Sequence, residues 1–295
     1  MKRLLPAILF LILTAPLCFG MEDFHFSVAP RMGFTCGELN ELYYYNDGTL
    51  VSQLDWEQKV LFDIGLAAGI DFKNFIVSAA FDYSIPAGTS YMYDSDWEGG
   101  EKFSFTKHPI KKSVNLSSEL TAGYKIKVVE KMSLIPQLQF NYLYNDFEAD
   151  KGSGTHRGKD VKVYGVDYKR HSFFIFTGLA LNVDFNQLFS LSTDFALAPW
   201  GYQTFFDYHH GVKHPFTSEG SQYSYFTKYK TGISADFHLS NLITLQCFTR
   251  FLFGFPDKGT VYTDYYSSTL KEDPDQKSGS AINYIKAGTA VIFNF

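Results

Sequence analysis

Apolar and polar positions alternate with period two through most of the chain. In 59–70, Val60, Phe62, Ile64, Leu66, Ala68 and Ile70 share one parity, while Lys59, Asp63, Gly65, Ala67 and Gly69 share the other together with Leu61. The pattern returns as Val114, Leu116, Leu120 and Ala122 against Asn115, Ser117, Glu119 and Thr121. It returns again as Tyr223, Tyr225, Tyr229, Ile233 and Phe237 against Ser224, Lys228, Lys230, Ser234 and Asp236. In the last stretch Ala287, Val291, Phe293 and Phe295 fall on one face. Period two is the mark of extended chain with one apolar and one polar face.

Ten strands are predicted, at about 24–46, 50–70, 75–92, 113–127, 133–150, 160–183, 188–206, 221–238, 242–260 and 281–295. A soluble sandwich also alternates, so the solvent is decided by other features. The strands are long, and their charges lie opposite the apolar face. Short connections at 71–74, 129–132, 184–188 and 239–242 alternate with long polar ones near 93–112, 150–160, 206–220 and 263–280. This layout predicts an all-β fold: a ten-stranded antiparallel transmembrane β-barrel with apolar side chains toward lipid, polar ones inside, and any active-site groove at the outer, extracellular end. After residue 20 no apolar run reaches eighteen residues, so the crossing is left to strands. A ring of this size is filled by its own side chains, which argues against a general diffusion pore.

Composition sharpens the picture. The chain carries 30 Phe and 20 Tyr among 295 residues, as strands with one greasy face require. A formal net charge of −5 argues against nucleic acid as a partner. Lys2-Arg3, the apolar run 4–17 and the exit Cys18-Phe19-Gly20 predict a secretory signal peptide over 1–20, leaving 21–295 as the barrel of an outer-membrane protein in a diderm bacterium. Leu17 stands where a lipoprotein signal would need a small residue before Cys18. Cys36 and Cys247 fall on separate predicted strands and are expected to remain unpaired.

Two pairs of chemically capable residues cap upward strands. Asp94 and Asp96 follow the third strand, and Asp207 and His209 follow the seventh; residues two apart in extended chain point the same way. Both pairs therefore lie at one end of the barrel. A carboxylate beside histidine makes an oriented general base, and two close carboxyls share protons unequally. No Ser or Cys is placed as a nucleophile, which leaves water as the attacking group. Solvated rim residues would show the same spacing, and spacing alone does not separate the two. His209, His210 and His214 lack zinc-motif spacing, and adjacent His209 and His210 point to opposite faces, so no metal and no other cofactor is expected.

The chain resembles the omptins, outer-membrane proteases built on a ten-stranded barrel. The resemblance rests on Gly37 with Glu41 ahead of an aromatic run, on Val51-Ser52-Gln53-Leu54-Asp55-Trp56, on Asp94-Ser95-Asp96-Trp97 followed by His108-Pro109, and on Asp207-Tyr208-His209. It implies an aspartyl endopeptidase in which an Asp–His pair and an Asp–Asp pair activate water between them. His209 would be the base, Asp207 its orienter, Asp94 the group holding the water opposite, and Asp96 the support of Asp94. Polypeptides at the cell surface would be the substrates, and the protein is expected to act as a monomer.

Departures from the family pattern are equally specific. Omptins of the best-known kind cleave between basic residues, using acids in the substrate groove. Glu41 matches one such acid, but the others are replaced by Phe205 and Ser104, so specificity is expected to be relaxed. Positions matching the family's basic lipopolysaccharide contacts hold Tyr144 and His171, which speaks against dependence on that lipid. The alternative function is a non-catalytic surface adhesin or interaction barrel on the same scaffold.

Overall fold

The computed structural model describes residues 24–210, 215–264 and 271–295; the expected signal peptide and His214 lie outside them. Among the described residues the chain forms β1 (Phe24–Tyr45), β2 (Leu50–Phe72), β3 (Phe75–Pro86), β4 (Tyr91–Glu98), β5 (Glu101–Tyr124), β6 (Ile126–Val129), β7 (Met132–Ala149), β8 (Gly152–His156), β9 (Lys159–Val163), β10 (Val166–Asn186), β11 (Phe189–His209), β12 (Phe216–Ser224), β13 (Lys228–His238), β14 (Ile243–Gly254), β15 (Asp257–Thr263), β16 (Lys271–Glu272) and β17 (Gln276–Asn294). All pairings are antiparallel, and β1 bonds to both β2 and β17, so the sheet closes on itself. Several of the ten staves are made of more than one segment, among them β3 with β4, β5 with β6, β12 with β13, and β14 with β15. Closure leaves no sheet edge to satisfy, which is what a strand-built membrane crossing demands.

The alternation sorts side chains as expected. Met32, Ile64, Leu66, Phe81, Leu120, Phe140, Leu179, Phe195 and Ile233 are exposed on the outer surface. Asp63, Asp82, Gln139 and Lys230 are buried in the lumen. Arg31 donates to both oxygens of Asp82 at 2.7 and 2.6 Å, and Lys286 lies 2.7 Å from the same carboxylate. Glu119 pairs with Lys230 and, at 3.3 Å, with Arg250. These groups line a lumen cavity of about 120 Å³. Cys36 and Cys247 are free and exposed.

The short connections fall where the sequence puts them, but the strands run farther outward than predicted. Residues near 93–112 form not a loop but the ends of β4 and β5, joined by Gly99-Gly100 with φ of 59° and 84°. Both signs are positive, the requirement of a tight two-residue hairpin that glycine meets without strain. Likewise β11 continues to His209, and 150–163 supplies the β8–β9 hairpin. The predicted boundaries stop short because the apolar face no longer points outward there. Above the lipid-facing band the interior takes over the apolar side chains: Leu39, Tyr43, Leu54, Trp56, Met92, Phe147, Val166, Tyr168 and Phe205 form one buried cluster inside the ring.

Candidate active site

Register builds the site rung by rung. On one wall Leu39, Trp56, Met92 and His108 stand in cross-strand register; the next rung outward is Glu41, Leu54, Asp94 and Thr106, and the next is Tyr43, Ser52, Asp96 and Ser104. On the opposite wall Phe147, Tyr168, Asp207 and Ser218 share a rung, with Val166, His209 and Phe216 one step farther out. Period two then turns Asp94, Asp96, Asp207 and His209 toward the same space. Beneath them lies an aromatic floor: Trp56 stacks on Phe147 at 5.3 Å and on Tyr168 at 5.4 Å, and Tyr168 stacks on Phe205 at 6.2 Å.

Asp207 is fully buried, and His209 Nε2–H donates to its Oδ2 at 2.7 Å. The imidazole is also stacked on Phe216, with centroids 4.2 Å apart. With Nε2 committed to Asp207, Nδ1 is the ring atom left to accept a proton. Burial opposes the charged imidazole, but the Asp207 carboxylate and its hydrogen bond, aided by Asp94 and Asp96, hold the His209 pKa above its ordinary value. Burial and then the adjacent Asp96 charge push Asp94 up to about 7. A cleft of about 270 Å³ opens over these groups, lined by Asp94, Asp96 and His209 together with Tyr43, Ser52, Leu54, Phe216 and Ser218.

The sequence matches the Omptin family over residues 22–295. The chain belongs to the omptin family. Its barrel is similar to the crystal structure of the outer membrane protease OmpT from Escherichia coli, with a TM-score of 0.81, 16% identity, and coverage of 92% of this chain and 97% of that one. The outer membrane protein OprG from Pseudomonas aeruginosa is far less similar, with a TM-score of 0.36, 11% identity and coverage of 92% and 95%. No curated protein matches the sequence. Omptins are outer-membrane proteases of Gram-negative bacteria, and this omptin is accordingly an outer-membrane protein.

The structure brings Asp94, Asp96 and His209 of this omptin to one cleft, with Asp207 behind His209. Glu41, Phe205 and Ser104 are buried nearby and do not line that cleft. One residue of the cleft escaped the sequence. Tyr43, hidden in the run Tyr43-Tyr44-Tyr45, shares Glu41's parity and faces the cleft. His108, which entered the sequence reading only as part of His108-Pro109, donates from Nδ1 to the Asp150 carbonyl at 2.9 Å and accepts from the Thr106 hydroxyl at 2.9 Å, on the rung of Met92, one step inward of Asp94's. His210 turns away from the cleft and pairs with Asp167 at 2.8 Å. Tyr144 and His171 lie on the outer wall, where His171 Nδ1 bonds to the Tyr142 hydroxyl at 2.9 Å.

Proposed function

We propose that this omptin is an endopeptidase that hydrolyses peptide bonds with a water held between His209 and Asp94. The observation that carries this is His209 fixed on a fully buried Asp207 and facing two further carboxyls across a cleft open to the outside. Nδ1 of His209 takes a proton from the water as its oxygen attacks the carbonyl carbon. Asp207 holds Nε2–H and stabilises the imidazolium, which then returns the proton to the leaving amine. Asp94 orients the water from the other side, and Asp96 holds Asp94 near its titration point, where a carboxyl both accepts and donates at neutral pH. Cleavage is less restricted to basic residues than in omptins that cut between them, because Phe205 and Ser104 carry no charge to reward Arg or Lys. Every proposed group comes from one ring, which suits a monomer acting on polypeptides at the cell surface. Lipopolysaccharide is not needed in this mechanism, since Tyr144 and His171 offer no fixed cation for its phosphates. A purely adhesive barrel would have no use for a histidine poised in this way.

The test is cleavage of a peptide library by detergent-refolded protein in oxygen-18 water. Label should enter the new carboxylate, serine-acylating reagents and chelators should leave the rate unchanged, and His209→Ala should lower turnover by about a hundredfold or more. Full activity of His209→Ala would overturn the assignment.

A further inference from the structure

Glu41 is the acid to which family resemblance gives the side chain before the cut, yet it is sealed from the cleft. Its residue is 1% exposed, and the Tyr43 hydroxyl donates to its Oε1 at 2.7 Å. Both point inward from β1, with Tyr43 two residues nearer the outer end, so the phenol lies between the carboxyl and the cleft. Phe205 holds the phenol edge-on from behind, with centroids 6.3 Å apart and planes at 84°. Val51, Leu54 and Phe216 supply the apolar part of the cleft lining that Tyr43 shares with the carboxyls of Asp94 and Asp96. Burial, and next the charge of Asp207, raise the Glu41 pKa well above the usual carboxylate range.

We propose that Tyr43 sets the specificity of this site: it shuts Glu41 away, so that the side chain preceding the scissile bond is aromatic or large and apolar rather than Arg or Lys. The inference rests on the endopeptidase function proposed above and names its substrate class. A guanidinium entering here would have to displace the phenol, break its bond to Glu41, and ionise Glu41 beside Asp207. Against the ring as it stands, the guanidinium would give up water without gaining a charged partner, a desolvation that is costly. An aromatic side chain meets Tyr43 and Phe216 with no such loss.

The experiment uses fluorogenic peptides identical except for Phe or Arg before the cut, assayed on the refolded full barrel. The wild type should cleave the Phe peptide at least about tenfold faster in kcat/KM. Tyr43→Val, which opens the way to Glu41, should move the Phe-to-Arg ratio toward Arg by about tenfold or more, and Glu41→Gln in that background should erase the gain. Tyr43→Phe keeps the ring and should keep the preference for Phe. A wild-type ratio near one or favouring Arg overturns the proposal even if Tyr43→Val does not fold. An unchanged ratio in a folded Tyr43→Val barrel, judged by circular dichroism, also overturns it. Both outcomes leave the endopeptidase function intact, whereas failure of the wild type to cut any library peptide overturns that function and this inference together.

Discussion

At lipid level, Glu119 sits between Lys230 and Arg250, and Asp82 between Arg31 and Lys286, so each of these two acids faces two cations. One storey outward the balance inverts: Glu41, Asp94, Asp96 and Asp207 gather around a single histidine, with the buried Arg170 tied to Ser172 and Gln203 below. Both regions enclose charge in the same closed ring, yet only the lower one neutralises it. Opposed charges inside a barrel fix its strands and filling; crowded like charges cost stability and shift proton affinities, a condition that suits chemistry. The aromatic floor of Trp56, Phe147, Tyr168 and Phe205 separates the two storeys.

The largest effect should come from the paired region. Glu119→Ala leaves Lys230 and Arg250 facing each other, and urea unfolding in detergent should show a loss of about 3–5 kcal/mol. A loss below about 1 kcal/mol would mean that lumen water carries those charges unaided, and the contrast between storeys would fade.

In the outer storey the sign should reverse. Asp94 titrates at about 7 when folded, above its value in the unfolded chain, so its ionised form opposes folding. Asp94→Asn should therefore raise stability by about 1–3 kcal/mol above pH 7, with the gain fading as pH falls and gone below about pH 4, where both states of the wild type are protonated. Turnover should fall at the same time. Destabilisation by Asp94→Asn at pH 8 would show that the outer carboxyls are structural.

The smallest effect is a shift in the pH profile. Asp96 raises the proton affinity of both Asp94 and His209, so Asp96→Asn should move the acid limb of kcat/KM to lower pH by a fraction of a unit. A limb that stays in place, or moves up, would remove Asp96 from the electrostatics of the site.

The sequence by itself determined the barrel. Period-two alternation at Val60–Ile70 and its repeats fixes which face meets lipid, and short turns such as 71–74 fix the order of strands, because both are local consequences of extended geometry. It also determined that Asp94 with Asp96, and Asp207 with His209, share faces, since spacing of two needs no tertiary knowledge. Only the tertiary structure decided where the strands end. Residues 91–98 and 206–209 continue their strands beyond the lipid, where the apolar face turns from outside to inside and the sequence pattern loses its reference. Only the closed ring decided what stands in front of Glu41. Tyr43 and Phe205 come from β1 and β11, far apart in the chain, and their edge-on contact depends on how β10 and β17 bring those two staves round the barrel. A contact across a lumen is set by ring size and register together, and neither is written in any single stretch of residues.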